Sequence, residues 1–254
     1  MQSEHRTLAV GTGPEARSIA MLGRAGDGPG VVFLGGFMSD MRGSKAEALD
    51  AWAAETGRAL TRFDYSGHGA SGGDFADGTI TRWLEEARAV IEATQGPQIL
   101  VGSSMGGWIA LLLALELNRT APGRIAGLVL LAPAVDMTRD LILARMTDAE
   151  KAEMAKTGAL RQPSAYSDQP YLITQKLIDD GEAHRIGHRP VALGAPVHII
   201  QGVLDDEVPY QVAIDLVTQL AQDDVVLTLI KDAGHRLSRP EDLKKLIQAV
   251  EAIA

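Results

Sequence analysis

The sequence predicts an α/β domain: a mostly parallel sheet with helices on both faces, carrying a helical cap insertion. Three observations predict it. Short apolar runs alternate with helix-period patterns along most of the chain. One of these runs passes directly into a helix through a glycine-rich junction, GSSMGG at 102–107. The alternation stops after residue 135 and resumes near 190, an interruption longer than any plain connecting loop. The expected organisation is therefore a core of 1–135 and 190–254 with a cap or lid at 136–189. A chain of 254 residues is long enough to bury a large core of this kind.

Residues 7–10 and 18–23 read as an opening antiparallel pair, and 30–35 (GVVFLG) as a buried strand. A helix is expected over 44–56, closed by Gly57. The next strand falls at 59–65. Thr79 begins a helix whose apolar positions Trp83, Leu84, Ala87 and Ile91 recur every three or four residues. The run 98–102 is a strand that turns at once into an apolar helix reaching Leu117. Residues 125–131 form another strand, ended by Ala132 and Pro133. Within 136–189 no strand-like run is expected. Thr147 and Glu150 form a capping box with Gly158 at the C-cap, and 171–181 is a second helix. Strands follow at 196–202 and 225–230, with a helix at 210–221 between them and a last helix after Pro240.

The charge balance excludes some functions. Lys and Arg number 24 against 33 Asp and Glu, a net charge of −9, and an acidic chain repels phosphate backbones, so nucleic acid is not an expected partner. With no cysteine there is no disulfide, no thiolate metal site and no cysteine nucleophile. The first residues show no basic stretch followed by an apolar one. The apolar run 108–115 is too short to span a bilayer. A cytoplasmic protein without a membrane span is the expectation.

The chemistry concentrates in Gly102-x-Ser104-x-Gly106, placed between a strand and a helix. A serine at the tip of such a turn holds a strained backbone, and glycines two positions away relieve the crowding. The positive end of the following helix faces the site, and the Met105 N–H is one candidate oxyanion donor. Serine is a weak nucleophile near neutral pH without a base. Of the six histidines, His235 lies in a loop just after the last strand, in DAGHR, and is the candidate base. A carboxylate must hold that ring's tautomer. The loop GVLDDEVP after strand 196–202 offers Asp205, with Asp206 as the alternative. The chain order Ser, Asp, His is that of hydrolases built on a nucleophile elbow. A second oxyanion donor is expected after strand 30–35, in GGFMS, where the Phe37 N–H is favoured. No metal or other cofactor is called for.

The segments GGFMSDM, RFDYSGHGASGGDF, GPQILVGSSMGGW, DDEVP and AGHR, together with the helix start at Thr79 and Trp83, resemble the α/β-hydrolase superfamily. The particular resemblance is to the group holding the mitochondrial acyl-protein thioesterases, also described as acyl-glucuronide esterases. It covers most of the sheet domain and is weakest over 136–189. It implies an α/β-hydrolase fold and a serine hydrolase using Ser104, Asp205 and His235. Its partner would be a small acyl ester or thioester, or an S-acylated protein or peptide.

Other signals point less far. Gly67, Gly69 and Gly72 fit the dinucleotide pattern, but no helix opens there, since Gly73, Asp74 and Gly78 delay it to Thr79. His184 and His188 stand four apart, a two-ligand metal spacing read here as a polar face. Asp64 and Tyr65 are expected to brace neighbouring loops. Met137, Met146 and Met154, with Leu141 to Leu143, either line an acyl slot or fill core gaps. Two readings stay open beside the esterase: a non-catalytic acyl binder on the same fold, and hydrolysis of another bond such as C–C.

Overall fold

In the computed structural model, residues 3–163 and 170–254 are described. The chain opens with β1 (Glu4–Val10) and β2 (Arg17–Arg24), paired antiparallel. Next come β3 (Asp27–Leu34), α1 (Ser44–Thr56), β4 (Arg58–Phe63) and α2 (Ile80–Glu92). β5 (Gln98–Ser103) runs into α3 (Met105–Thr120) and β6 (Ile125–Leu131) follows. After β6 come α4 (Asp148–Thr157), β7 (Ala159–Gln162), β8 (Tyr171–Thr174) and α5 (Gln175–Ala183). The chain closes with β9 (Val197–Gly202), α6 (Tyr210–Gln219), β10 (Val225–Ile230) and α7 (Pro240–Glu251).

Eight strands make one sheet in the order β1-β2-β4-β3-β5-β6-β9-β10. β2 pairs antiparallel with β4, and from β4 to β10 every pairing is parallel. The chain winds outward from β3 in both directions, so the C-terminal ends of β3 and β5 lie side by side. In parallel sheets, ligand sites form at such ends. The central strands are covered on both faces, and β5 is buried at every position, as parallel strands usually are. One apolar layer, with Leu100, Trp108 and Leu128, lies against α2 and α3. The other, with Val101, Val129 and Leu246, lies against α1 and α7.

The local signals explain the helix ends. Gly57 closes α1 in the left-handed conformation at φ 73°, where a side chain would be strained. Thr79 caps α2 by accepting the Arg82 N–H. Thr147 and Glu150 form the reciprocal box at the start of α4, and Gly158 ends it at φ 78°. Among the described residues, no helix is long and apolar enough to cross a membrane.

The segment after β6 departs from the sequence expectation in one respect. It contains a two-stranded antiparallel sheet, β7 with β8, where no strand was expected, and α5 begins at Gln175 rather than at Tyr171. The four residues of β8 share their apolar character with the helix that follows, so periodicity cannot divide them. The dividing signal is Thr174, whose side chain accepts the Leu177 N–H as an N-cap. Met146 and Met154 pack with Ile173 and Ile178 in a small core of the segment's own. The root of the segment is tied by Asp136, buried and at φ 52°. Its two carboxylate oxygens accept the Ile186 and Gly187 N–H groups at 2.8 and 2.7 Å.

Candidate active site

The turn between β5 and α3 places Ser104 at φ 54°, ψ −118°, a conformation costly for any residue with a side chain. Its strain is held by neighbours. The Ser104 N–H donates to Leu131 O at 2.9 Å, and its carbonyl accepts from Gly107 and Ala134 at 2.9 and 3.1 Å. The flanking glycines are required by contact. A Cβ on Gly102 would come within 2.5 Å of Gly106 O, and one on Gly106 within 2.2 Å of Leu34 O.

The structure brings three of the expected side chains together from three separate strand ends. Ser104 Oγ lies 3.0 Å from His235 Nε2, and His235 Nδ1 lies 2.8 Å from Asp205 Oδ2. A ring nitrogen facing a carboxylate carries the proton, so Nε2 is left to accept the Ser104 hydroxyl. The Asp205 carboxylate is itself fixed. Its Oδ1 accepts the Glu207 and Val208 N–H groups at 2.9 and 2.8 Å, and its Oδ2 also accepts Gln201 Nε2 at 3.0 Å. Asp206 stands apart; its carbonyl accepts the Arg145 guanidinium at 3.0 Å. A second carboxylate, Glu207, puts Oε2 3.6 Å from His235 Nε2.

The loop after β3 folds over Ser104. A Cβ on Gly36 would stand 3.3 Å from the Ser104 Cβ, which places the Gly36–Phe37 peptide beside the nucleophile candidate. Among the described residues no protein acceptor takes the Phe37 N–H. Met105 supplies the first N–H of α3, which has no helical carbonyl before it. Asp64 braces this loop as expected: it accepts Met41 N–H at 2.6 Å and Ala70 N–H at 2.8 Å. Burial pushes its carboxyl up against the pull of those two donors.

His68 was not singled out by the sequence. It is buried against Phe75 and Trp83, with ring centroids 5.0 and 5.3 Å away. Nδ1 lies 3.1 Å from Ser66 O, and Nε2 accepts the Met38 N–H at 3.1 Å. Desolvation lowers its pKa to about 4, so the ring is neutral at physiological pH. The unfolded chain takes up this proton near pH 6.5. Folding stability from this group is therefore complete above 6.5 and falls as the pH drops toward 4, by about 3 kcal/mol in all. Unfolding free energies of wild type and His68→Gln, measured by denaturant titration between pH 7 and 4, should diverge by that order; parallel curves would contradict it.

A cavity of about 760 Å³ opens over Ser104 and His235, within the range of small-molecule sites. Met137, Leu141, Ile142, Tyr171 and Ile173, all from the segment after β6, form an apolar wall. Met137 thus lines the slot, whereas Met146 and Met154 fill the segment's core. The lining also includes the polar residues Ser39, Ser44, Lys45, Arg236 and Ser238. Burial and the nearby Arg236 charge lower the Lys45 pKa to about 8. His198 instead contacts Thr228 at 2.9 Å between β9 and β10. His184 meets Thr81 and Asp180, and His188 is exposed beyond α5. The Gly67–Gly72 stretch is a closed turn, Gly67 N–H to Gly72 O at 3.0 Å, with no helix opening on it.

Comparisons with known proteins follow the same lines. The family described as Serine aminopeptidase, S33, matches residues 30–180. The bovine mitochondrial palmitoyl-protein thioesterase ABHD10 is 33% identical over 242 residues, covering 94% of this chain and 77% of that protein. Among solved structures, one from Agrobacterium vitis S4 is 49% identical with a TM-score of 0.96, over 100% of this chain and 99% of that one. The mouse alpha/beta hydrolase domain-containing protein 10 is 29% identical with a TM-score of 0.86, over 98% and 97%.

Proposed function

The chain belongs to the serine aminopeptidase S33 family of α/β-hydrolases, and on that premise we propose that it is a serine hydrolase of acyl thioesters and carboxylic esters. The observation carrying this reading is the pair of distances, 3.0 Å from Ser104 to His235 and 2.8 Å from His235 to Asp205. In it Ser104 Oγ attacks the acyl carbonyl carbon while His235 Nε2 takes the hydroxyl proton. The carbonyl oxygen gains the electron pair and is held by the Phe37 and Met105 N–H groups. The tetrahedral centre collapses and the acyl group stays on Ser104. The leaving group departs either as an alcohol carrying the His235 proton or as a thiolate, the His235 proton then passing to solvent, so that Nε2 is free again. His235 then takes a proton from water, whose oxygen attacks the acyl carbon, and Ser104 regains its proton. Asp205 keeps the proton-accepting nitrogen of His235 turned to the reaction throughout.

A thiolate leaves without protonation, whereas an alkoxide needs the His235 proton, so one site serves both esters. The pocket sets the acyl group. The apolar wall from the segment after β6 is the lid of this reading, and it suits an aliphatic chain, the group carried by the substrates named for the ABHD10 relatives.

Matched S-acyl and O-acyl substrates of increasing chain length test the proposal. The kcat/KM should rise by up to about fourfold per methylene until the apolar wall is filled, from the roughly 0.8 kcal/mol of a buried CH₂. A profile flat in chain length would remove the acyl slot. Failure of a fluorophosphonate to label the protein would replace the enzyme with a binder.

A further inference from the structure

We infer that His68 is a positioning residue that sets the oxyanion loop, by holding Met38 in the left-handed backbone conformation that turns the loop past Ser104. The inference deepens the hydrolase reading and rests on it.

Gly36 to Ser39 form a four-residue turn, closed by the Ser39 N–H on Gly36 O at 3.1 Å. Met38, its third residue, has φ 55° and Phe37, its second, does not have a positive φ. This is the type II pattern, in which the third position normally belongs to glycine. A methionine there is strained. Turning over the Phe37–Met38 peptide gives the type I form, in which Met38 is relaxed. The N–H of that central peptide is the one His68 Nε2 accepts, at 3.1 Å. The imidazole therefore opposes the turnover directly.

The consequence reaches the reacting oxygen through one peptide unit. In a trans peptide, the carbonyl and the following N–H point in opposite directions. Gly36 O is pinned from one side by the Ser39 N–H and by the Ser39 hydroxyl at 2.8 Å. The Phe37 N–H must point to the other side. Both turn forms close the Ser39 N–H on Gly36 O, so the Phe37 N–H keeps its direction on turnover. What the Met38 bond to His68 fixes is how the loop, and that N–H with it, sits against Ser104.

His68 is itself anchored. Its Nδ1–H donates to Ser66 O, which also accepts the Trp83 indole N–H at 3.2 Å. The Ser66 N–H donates to Glu86 Oε2 at 2.8 Å, and Glu86, wholly buried, is ion-paired with Arg17. A line of bonds thus runs from Arg17 at the start of β2, through Glu86 of α2, to the loop beside Ser104. Nothing in it touches the substrate.

Two conservative variants separate the two bonds of the ring. His68→Gln retains an acceptor where Nε2 stood and gives up the Ser66 contact. His68→Asn retains a donor toward Ser66 O and leaves the Met38 N–H without an acceptor. Turnover of a p-nitrophenyl acyl ester is measured per active site, counted by complete fluorophosphonate labelling. The Asn variant should lose on the order of 10²-fold in kcat with KM changed less than about threefold, since a small misplacement of a reacting group costs that much. The Gln variant should stay within about tenfold of wild type. An Asn variant as active as the Gln variant, or a loss carried by KM, would overturn the inference; a role in filling the interior alone predicts no such order. Wild-type protein inert toward every acyl ester, or a Ser104→Ala variant that still turns over, would instead refute the hydrolase reading beneath it.

Discussion

Ser104→Ala is expected to lower kcat toward acyl esters by on the order of 10⁴–10⁶-fold. The hydroxyl is the only protein group in the reading that forms a bond to the acyl carbon. Its loss leaves only water to attack, with His235 and the two N–H donors still in place, so some catalysis over the background reaction persists. Folding should be little affected. Alanine meets the same backbone strain at φ 54° as serine, and the hydrogen bonds that hold the turn come from the main chain. The measurement is kcat of the purified variant beside its denaturant midpoint. Near-wild-type turnover in a folded variant would remove Ser104 as nucleophile.

Asp205→Asn is expected to cost on the order of 10⁴-fold in kcat, with Asp206→Asn close to neutral. The Oδ1 position of Asp205 faces two backbone N–H donors, so an asparagine must place its carbonyl oxygen there. Its amide nitrogen then faces His235 Nδ1. Two donors cannot share that bond, and the ring answers by moving its proton to Nε2, where it points at Ser104 Oγ instead of accepting from it. Gln201 cannot adjust freely, because its Nε2 also donates to Gly202 O and Val208 O at 3.2 and 3.0 Å, and a turn of the amide would set its oxygen against both carbonyls. The loss of rate is one of tautomer, and the denaturant midpoint should fall as well, since the Gln201 and asparagine amide nitrogens then face each other in the interior. Should Asp206→Asn be the damaging change, the carboxylate is misassigned.

The order of strands, the elbow serine and the loop histidine are legible in the sequence because each is written locally. A strand pattern, a glycine pair and a loop position relative to a strand all lie within about ten residues. The capping box at Thr147 and the glycine at 158 are likewise local, and both are found where they were read. Asp205 was separable from Asp206 only as a preference. What distinguishes them is which carboxylate meets Gln201 and the two N–H groups of the next turn, a matter of backbone path. β7 and β8 escaped because strands of four residues beside a helix carry too little period to count. His68 escaped for a different reason. Its meaning comes from Met38, thirty positions earlier, and from a ring of aromatic neighbours, so nothing in the GHG tripeptide announces it. Glu207 and Gln201 belong to the same class.

The clasp at Asp136 bears on how such enzymes diversify. One carboxylate gathers the outgoing and the returning strand of chain into a single narrow neck, while the nucleophile, base and acid candidates all lie outside it. Material between the two sides of that neck can lengthen, shrink or be exchanged by recombination without moving the reactive groups. New acyl preferences would then arise by replacing one contiguous stretch of gene, leaving the inherited reaction intact.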